Sequence, residues 1–223
     1  MALVFENLRS VQERMDAASL RSGRPAGSVG LTAVIKYASV EQVAELLQTG
    51  AVRQVGENRV QDAAARKQGL QPFPGVCWRL IGHLQKNKAR KALEVFDTVD
   101  SVDSLELGQA LSKALEGSNK KLPILIQVNL AGNPGQSGVA EKDLSGLLAG
   151  LRKLERLELR GLMAIAPLLE PVEATRPWFK RLKTIFDGEF GPDGVLSMGM
   201  SRDFETAIEE GATMVRIGSL LFQ

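Results

Sequence analysis

Apolar positions recur at helical spacing through Leu3, Leu8, Val11, Met15, Ala18 and Leu20, then stop before Ser22-Gly23-Arg24-Pro25, which predicts an opening helix. Beyond it the period changes. Short apolar runs near 31–36, 53–55, 76–81, 98–101, 124–128, 159–163, 195–198 and 214–217 read as strands, being too brief for helices and rich in branched aliphatics. The stretches at 40–47, 59–67, 86–96, 104–115, 141–154, 172–186 and 203–210 read as helices. Each strand but the last is followed by a helix. Eight such strands, apolar enough to be buried on both faces, predict the α/β class: a single (β/α)8 TIM barrel with an additional N-terminal helix, residues 1–223 forming one domain. An open doubly wound sheet is the competing architecture, but no glycine-rich dinucleotide fingerprint follows the first strand.

Composition narrows the chemistry. The 28 Lys and Arg nearly balance the 26 Asp and Glu, so a net charge of +2 calls for neither a nucleic acid nor a membrane surface as partner. A basic run through Lys86, Lys88, Arg90 and Lys91 lacks interleaved aromatics and reads as a solvated helix face, with an anion-binding surface as the functional alternative. No apolar segment is long enough to span a bilayer. The single Cys77 excludes an intrachain disulfide, and one cysteine with one histidine cannot supply the usual zinc ligands. The chain opens directly on an amphipathic pattern rather than a charged segment and apolar core, so a reducing, cytoplasmic setting is expected.

Against this background Lys36 stands out, because it closes the run Leu31-Thr32-Ala33-Val34-Ile35. An amine at a buried strand end is costly unless it is engaged, and its neutral form attacks carbonyls. The plain alternative is a rim lysine snorkelling to water. A barrel places chemistry at the carboxyl ends of its strands and often holds phosphate in the loops after the seventh and eighth. Both loops are suited to it. After the seventh comes Ser197-Met198-Gly199-Met200-Ser201-Arg202-Asp203, where Gly199 permits close backbone approach and Ser201 can cap a helix. After the eighth comes Val215-Arg216-Ile217-Gly218-Ser219, offering backbone amides and a planar guanidinium, for which a salt bridge is the plain reading. On the same rim, Gly56-Glu57-Asn58-Arg59 follows the second strand and Ile81-Gly82-His83 the third, with His83 as a ring-contacting imidazole or a loop partner.

The segments Ala33 to Lys36, Gly56 to Gln61, Ile81 to Lys88, Arg160 to Met163, Leu196 to Ser201 and Val215 to Gly218 resemble the pyridoxal-phosphate homeostasis protein family. The resemblance spans almost the whole chain and implies the fold type III barrel of the alanine racemase amino-terminal domain. It implies that Lys36 carries pyridoxal 5'-phosphate as a Schiff base. By the same resemblance Ser201, Gly218 and Ser219 hold the phosphate, Arg216 faces the pyridine nitrogen, Asn58 lies beside the cofactor, and Ile81 and Met200 complete the contacts. An arginine at the ring nitrogen disfavours protonation there and makes a weak electron sink. Tyr37, the only tyrosine, would be sent to the face opposite Lys36 by strand alternation. No catalytic residue is therefore assigned, and the implied role is non-catalytic: cofactor binding in vitamin B6 homeostasis and in the regulation of amino and keto acid pools. A single-domain racemase or lyase is the enzymatic alternative. A monomer, and transient contact with pyridoxal-phosphate-dependent enzymes, go with the resemblance. The chain departs from the family pattern at Ile35, at Tyr37-Ala38, at Arg79 where histidine is frequent, at Gly135-Gln136, and in the short end after Ser219.

Overall fold

Alternation of short strands and amphipathic helices carries the chain around a closed wall. The computed structural model describes residues 2–70 and 72–223. Among them the strands are β1 (Gly30–Val34), β2 (Gln54–Glu57), β3 (Cys77–Leu80), β4 (Thr98–Val102), β5 (Leu122–Asn129), β6 (Val139–Ala140), β7 (Leu157–Ala164), β8 (Val195–Met200) and β9 (Met214–Ile217). All pair in parallel, β4 with β5 and β9 with β1, so that eight of them close a barrel. The two-residue β6 lies outside the wall, against β5, and has no counterpart in the sequence pattern.

The helices are α1 (Ala2–Arg21), α2 (Val40–Gln48), α3 (Val60–Gly69), α4 (Ala89–Leu93), α5 (Leu105–Ala114), α6 (Leu144–Leu151), α7 (Arg176–Glu189), α8 (Phe204–Glu209) and α9 (Ser219–Phe222). Single 3-10 turns lead into α4, α6 and α7, which shortens the helices expected there. The last strand is also followed by a helix, the one-turn α9. Helix starts follow local chemistry: Ser39 and Gln42 form a capping box at α2, and Ser104 accepts the Leu107 amide at α5. The additional N-terminal helix α1 lies across α8 and α9, tied by Arg14 to Glu205 at 2.9 Å and Arg21 to Glu209 at 2.8 Å. No described helix is long and apolar enough to cross a membrane.

Period-2 alternation divides the strands between two cores. Ile124, Ile126 and Val128 of β5 join the large apolar core shared with the helices, whereas Leu125 joins Met163 of β7 and Met214 of β9 in a separate small cluster. Much of the remaining interior is polar. Arg79 of β3 forks Asp100 of β4 at 2.7 and 2.9 Å and donates to Gln54 of β2 at 3.0 Å, while Thr98 donates to Asp100 at 2.9 Å. Barrels usually fill this space with branched aliphatics. Here a satisfied ion pair does so. Burial pulls the Arg79 guanidinium down, but Asp100 more than reverses this and the net shift is upward.

Candidate functional site

The β1 to β9 pairing sets Thr32 against Arg216, and the β8 to β9 pairing sets Met200 against Arg216. Three strand ends therefore meet at one corner. Their loops, with the 165–168 segment after β7, line a cavity of about 480 Å3. Six of the eight residues singled out from sequence lie in its wall: Lys36, Met200, Ser201, Arg216, Gly218 and Ser219. Asn58 and Ile81 do not. Asn58 packs its backbone against Gly82, and Ile81 lies over Gly56 beside Thr32. His83 lies in a different groove of about 630 Å3, with Lys86, Asp103 and Glu106, its Nδ1 3.5 Å from an Asp103 oxygen.

Lys36 is exposed and not part of a strand. The chain leaves β1 at Val34; Ile35 donates to Gly56 O at 3.0 Å and Ala38 donates to Ile35 O at 3.0 Å, making a tight turn that throws residues 36 and 37 outward. Strand alternation ends with the strand. Tyr37 consequently does not take the opposite face: it lines the same cavity, 87% exposed, and its ring centre lies 4.8 Å from Lys36 Nζ. Arg66 anchors the turn, donating to Ala38 O at 2.6 Å and pairing with buried Glu57 at 3.0 Å. Burial raises the Glu57 carboxyl pKa against the pull of Arg66.

Across the cavity the two candidate phosphate loops are cross-linked, Gly218 N–H donating to Ser201 Oγ at 3.3 Å. Ser201 does not cap α8. Asp203 holds the cap position, and its carboxylate accepts the Met200 amide at 2.6 Å. Gly199 has φ +88°, and a Cβ there would fall 2.5 Å from Ala207 Cβ. A Cβ on Gly218 would press Val34 at 3.1 Å from its oxygen, so this backbone runs tight along β1.

Beneath them Arg216 is 4% exposed and donates to Ser197 Oγ and Ala164 O, both at 2.9 Å. Neither partner is a carboxylate, so the salt bridge expected of an ordinary arginine is not what holds it. Burial pulls its pKa down to about 10, opposed by the charges of Asp100 and Asp203, and it stays protonated near neutrality. Burial likewise raises the Asp203 carboxyl, against the Met200 amide and Arg216. Sequence reasoning missed Asp203 although an aspartate directly before an apolar helical run is itself an N-cap signal. Leu168 was missed too, and nothing in its local pattern marks it.

The family model described as alanine racemase, N-terminal domain, matches residues 6–223. A pyridoxal phosphate homeostasis protein of Pseudomonas aeruginosa is 40% identical over 223 residues, covering 100% of this chain and 96% of the relative. The chain belongs to the pyridoxal phosphate homeostasis protein family. Its Escherichia coli K12 member is 37% identical, with 98% of this chain and 95% of that one covered. PipY of Synechococcus elongatus PCC7942, solved with PLP bound, superposes with a TM-score of 0.81 at 38% identity, covering 96% and 100% of the two chains. Alanine racemase of Clostridium difficile 630 shares the fold at a TM-score of 0.71 and 17% identity, over 99% of this chain and 56% of that one.

Proposed function

We propose that the chain is a non-catalytic pyridoxal 5'-phosphate-binding protein of intracellular vitamin B6 homeostasis, regulating amino and keto acid pools, with the cofactor attached through Lys36. The observation that carries this reading is one cavity walled by a lysine amine on one side and cross-linked donor loops on the other. When bound, the cofactor supplies an electrophilic aldehyde and a phosphate dianion. Lys36 offers the amine for the first; the Ser201 hydroxyl and the Ser219 amide offer donors for the second, and the Gly218 amide joins them on releasing Ser201 Oγ. Arg216 is a buried cation with no hydrogen-bonded carboxylate of its own, the group expected to face a ring nitrogen and keep it unprotonated. Asn58 and Ile81, outside the cavity wall, are assigned to support of the rim beside it.

The test is an absorbance spectrum of purified protein with and without borohydride, followed by peptide mass analysis. A pyridoxyl mass on the Lys36 peptide, lost in Lys36→Ala, is the expected result. No such mass, or full cofactor absorbance in Lys36→Ala, would sink the assignment.

One observation favours the enzymatic reading. The Tyr37 ring stands beside the Lys36 amine, where its hydroxyl could exchange protons with a bound amino acid. Deuterium incorporation at the α-carbon across an amino acid panel, faster than with free cofactor and abolished in Tyr37→Phe, would establish it. Absence of exchange throughout leaves the binding role.

A further inference from the structure

Beyond the β1 to β9 ladder, one side chain also links the two sides of the cavity. Ser39, three residues past Lys36, opens α2, and Gln42 completes its capping box: the Gln42 amide donates to Ser39 Oγ at 3.2 Å, and the Ser39 amide donates to Gln42 Oε1 at 2.9 Å. A glutamine at this position has a donor that a glutamate lacks. Gln42 Nε2 donates to Phe222 O at 3.2 Å, at the end of α9, the helix that begins with Ser219. The amide orientation follows from its neighbours, since the oxygen must meet an N–H and the nitrogen a carbonyl.

Helix α9 is a single turn, too short to persist without outside support. Asn7 of α1 holds its far side, with Nδ2 3.3 Å from both Leu221 O and Gln223 O. Gln42 ties it to the start of α2 at Ser39, directly after the turn that carries Lys36. We propose that Gln42 is a positioning residue: it fixes the spacing between the Lys36 amine and the Gly218 and Ser219 donors, and so makes the site select aldehydes that also carry a phosphate. This rests on the cofactor reading above.

Gln42→Glu tests it, because glutamate is a favoured partner in the capping box and keeps the acceptor for Ser39, while the donor to Phe222 is replaced by a repelling oxygen. Affinity for pyridoxal phosphate and for unphosphorylated pyridoxal is measured on wild type and variant, alongside hydrogen exchange of the residue 219–222 amides. The expected result is a fall of about fivefold in the preference for the phosphorylated aldehyde, equivalent to about 1 kcal/mol for one hydrogen bond, with pyridoxal binding unchanged. Exchange in α9 should quicken while that in α2 does not. An unaltered preference, or an equal loss for both aldehydes, overturns the inference while leaving the cofactor reading in place. A wild-type protein that yields no trapped pyridoxyl group on Lys36 overturns both.

Discussion

Replacing Asp100 by asparagine probes the ion pair inside the barrel. Asp100 is 1% exposed and Arg79 9% exposed, so neither charge can recover hydration when its partner is lost. Asparagine keeps the shape and retains an oxygen for Thr98, but leaves the buried Arg79 guanidinium without its counter-charge. Breaking a buried pair from one side costs about 3–5 kcal/mol, which for a domain of this size lowers Tm by roughly 6–20 °C. The cost should extend to the site, because Asp100 is the leading charge that offsets the burial of Arg216. Chemical denaturation of cofactor-free protein at neutral pH measures the first effect, and cofactor affinity the second. The double variant Arg79→Met with Asp100→Leu should recover only part of the stability, since it removes the unpaired Arg79 charge but leaves Gln54, Thr98 and the buried Arg216 without these partners. A single variant within about 1 kcal/mol of wild type would show that water reaches Arg79 and that the interior is not the dry network described.

Gly199→Ala places a side chain at φ +88° and 2.5 Å from Ala207 Cβ, and should cost about 2–4 kcal/mol in denaturant and weaken cofactor loading; a midpoint equal to wild type would mean the loop shifts freely. Asp203→Asn addresses pH. Burial raises the Asp203 carboxyl pKa, so the folded state keeps its proton longer than the unfolded chain does, and this group's contribution falls as pH rises from about 4 through its raised value. Asparagine keeps an acceptor for the Met200 amide and removes that fall, so the variant should gain on wild type between pH 4 and neutrality; parallel stability curves would contradict the assignment.

The barrel was legible because most strand positions are buried, so the runs ending at Val34, Leu80, Met163 and Ile217 are largely apolar, the buried Arg79 and Arg216 being the exceptions. Position on the rim followed from strand order, which is why Lys36, Ser201, Arg216 and Gly218 meet as expected. Directions of side chains past a strand end were not legible. Tyr37 stands at the cavity rim beside Lys36 because Ile35 bonds to Gly56 and Ala38 back to Ile35, a turn set by backbone partners that no residue type announces. Neither Ser201 nor Asp203 caps α8 with its side chain: Asp203 holds the cap position but accepts the Met200 amide, and Ser201 Oγ accepts the Gly218 amide from the neighbouring strand's loop. The Arg79 to Asp100 pair joins different strands, and Arg79 was visible only as a departure from the family pattern. β6 is two residues long and carries no period at all.

The cavity straddles the seam where the first and last strands of the barrel meet, with Thr32 in register with Arg216. A slip of one residue there would turn Arg216 out of the interior and separate it from Ser197. An open sheet of these same strands thus has a lysine at one edge, an arginine at the other, and no site. On the cofactor reading proposed above, a ligand in this cavity would clasp the two ends of the wall, and its uptake would count closed molecules. Ligand loading would then serve in this protein as an assay of folding.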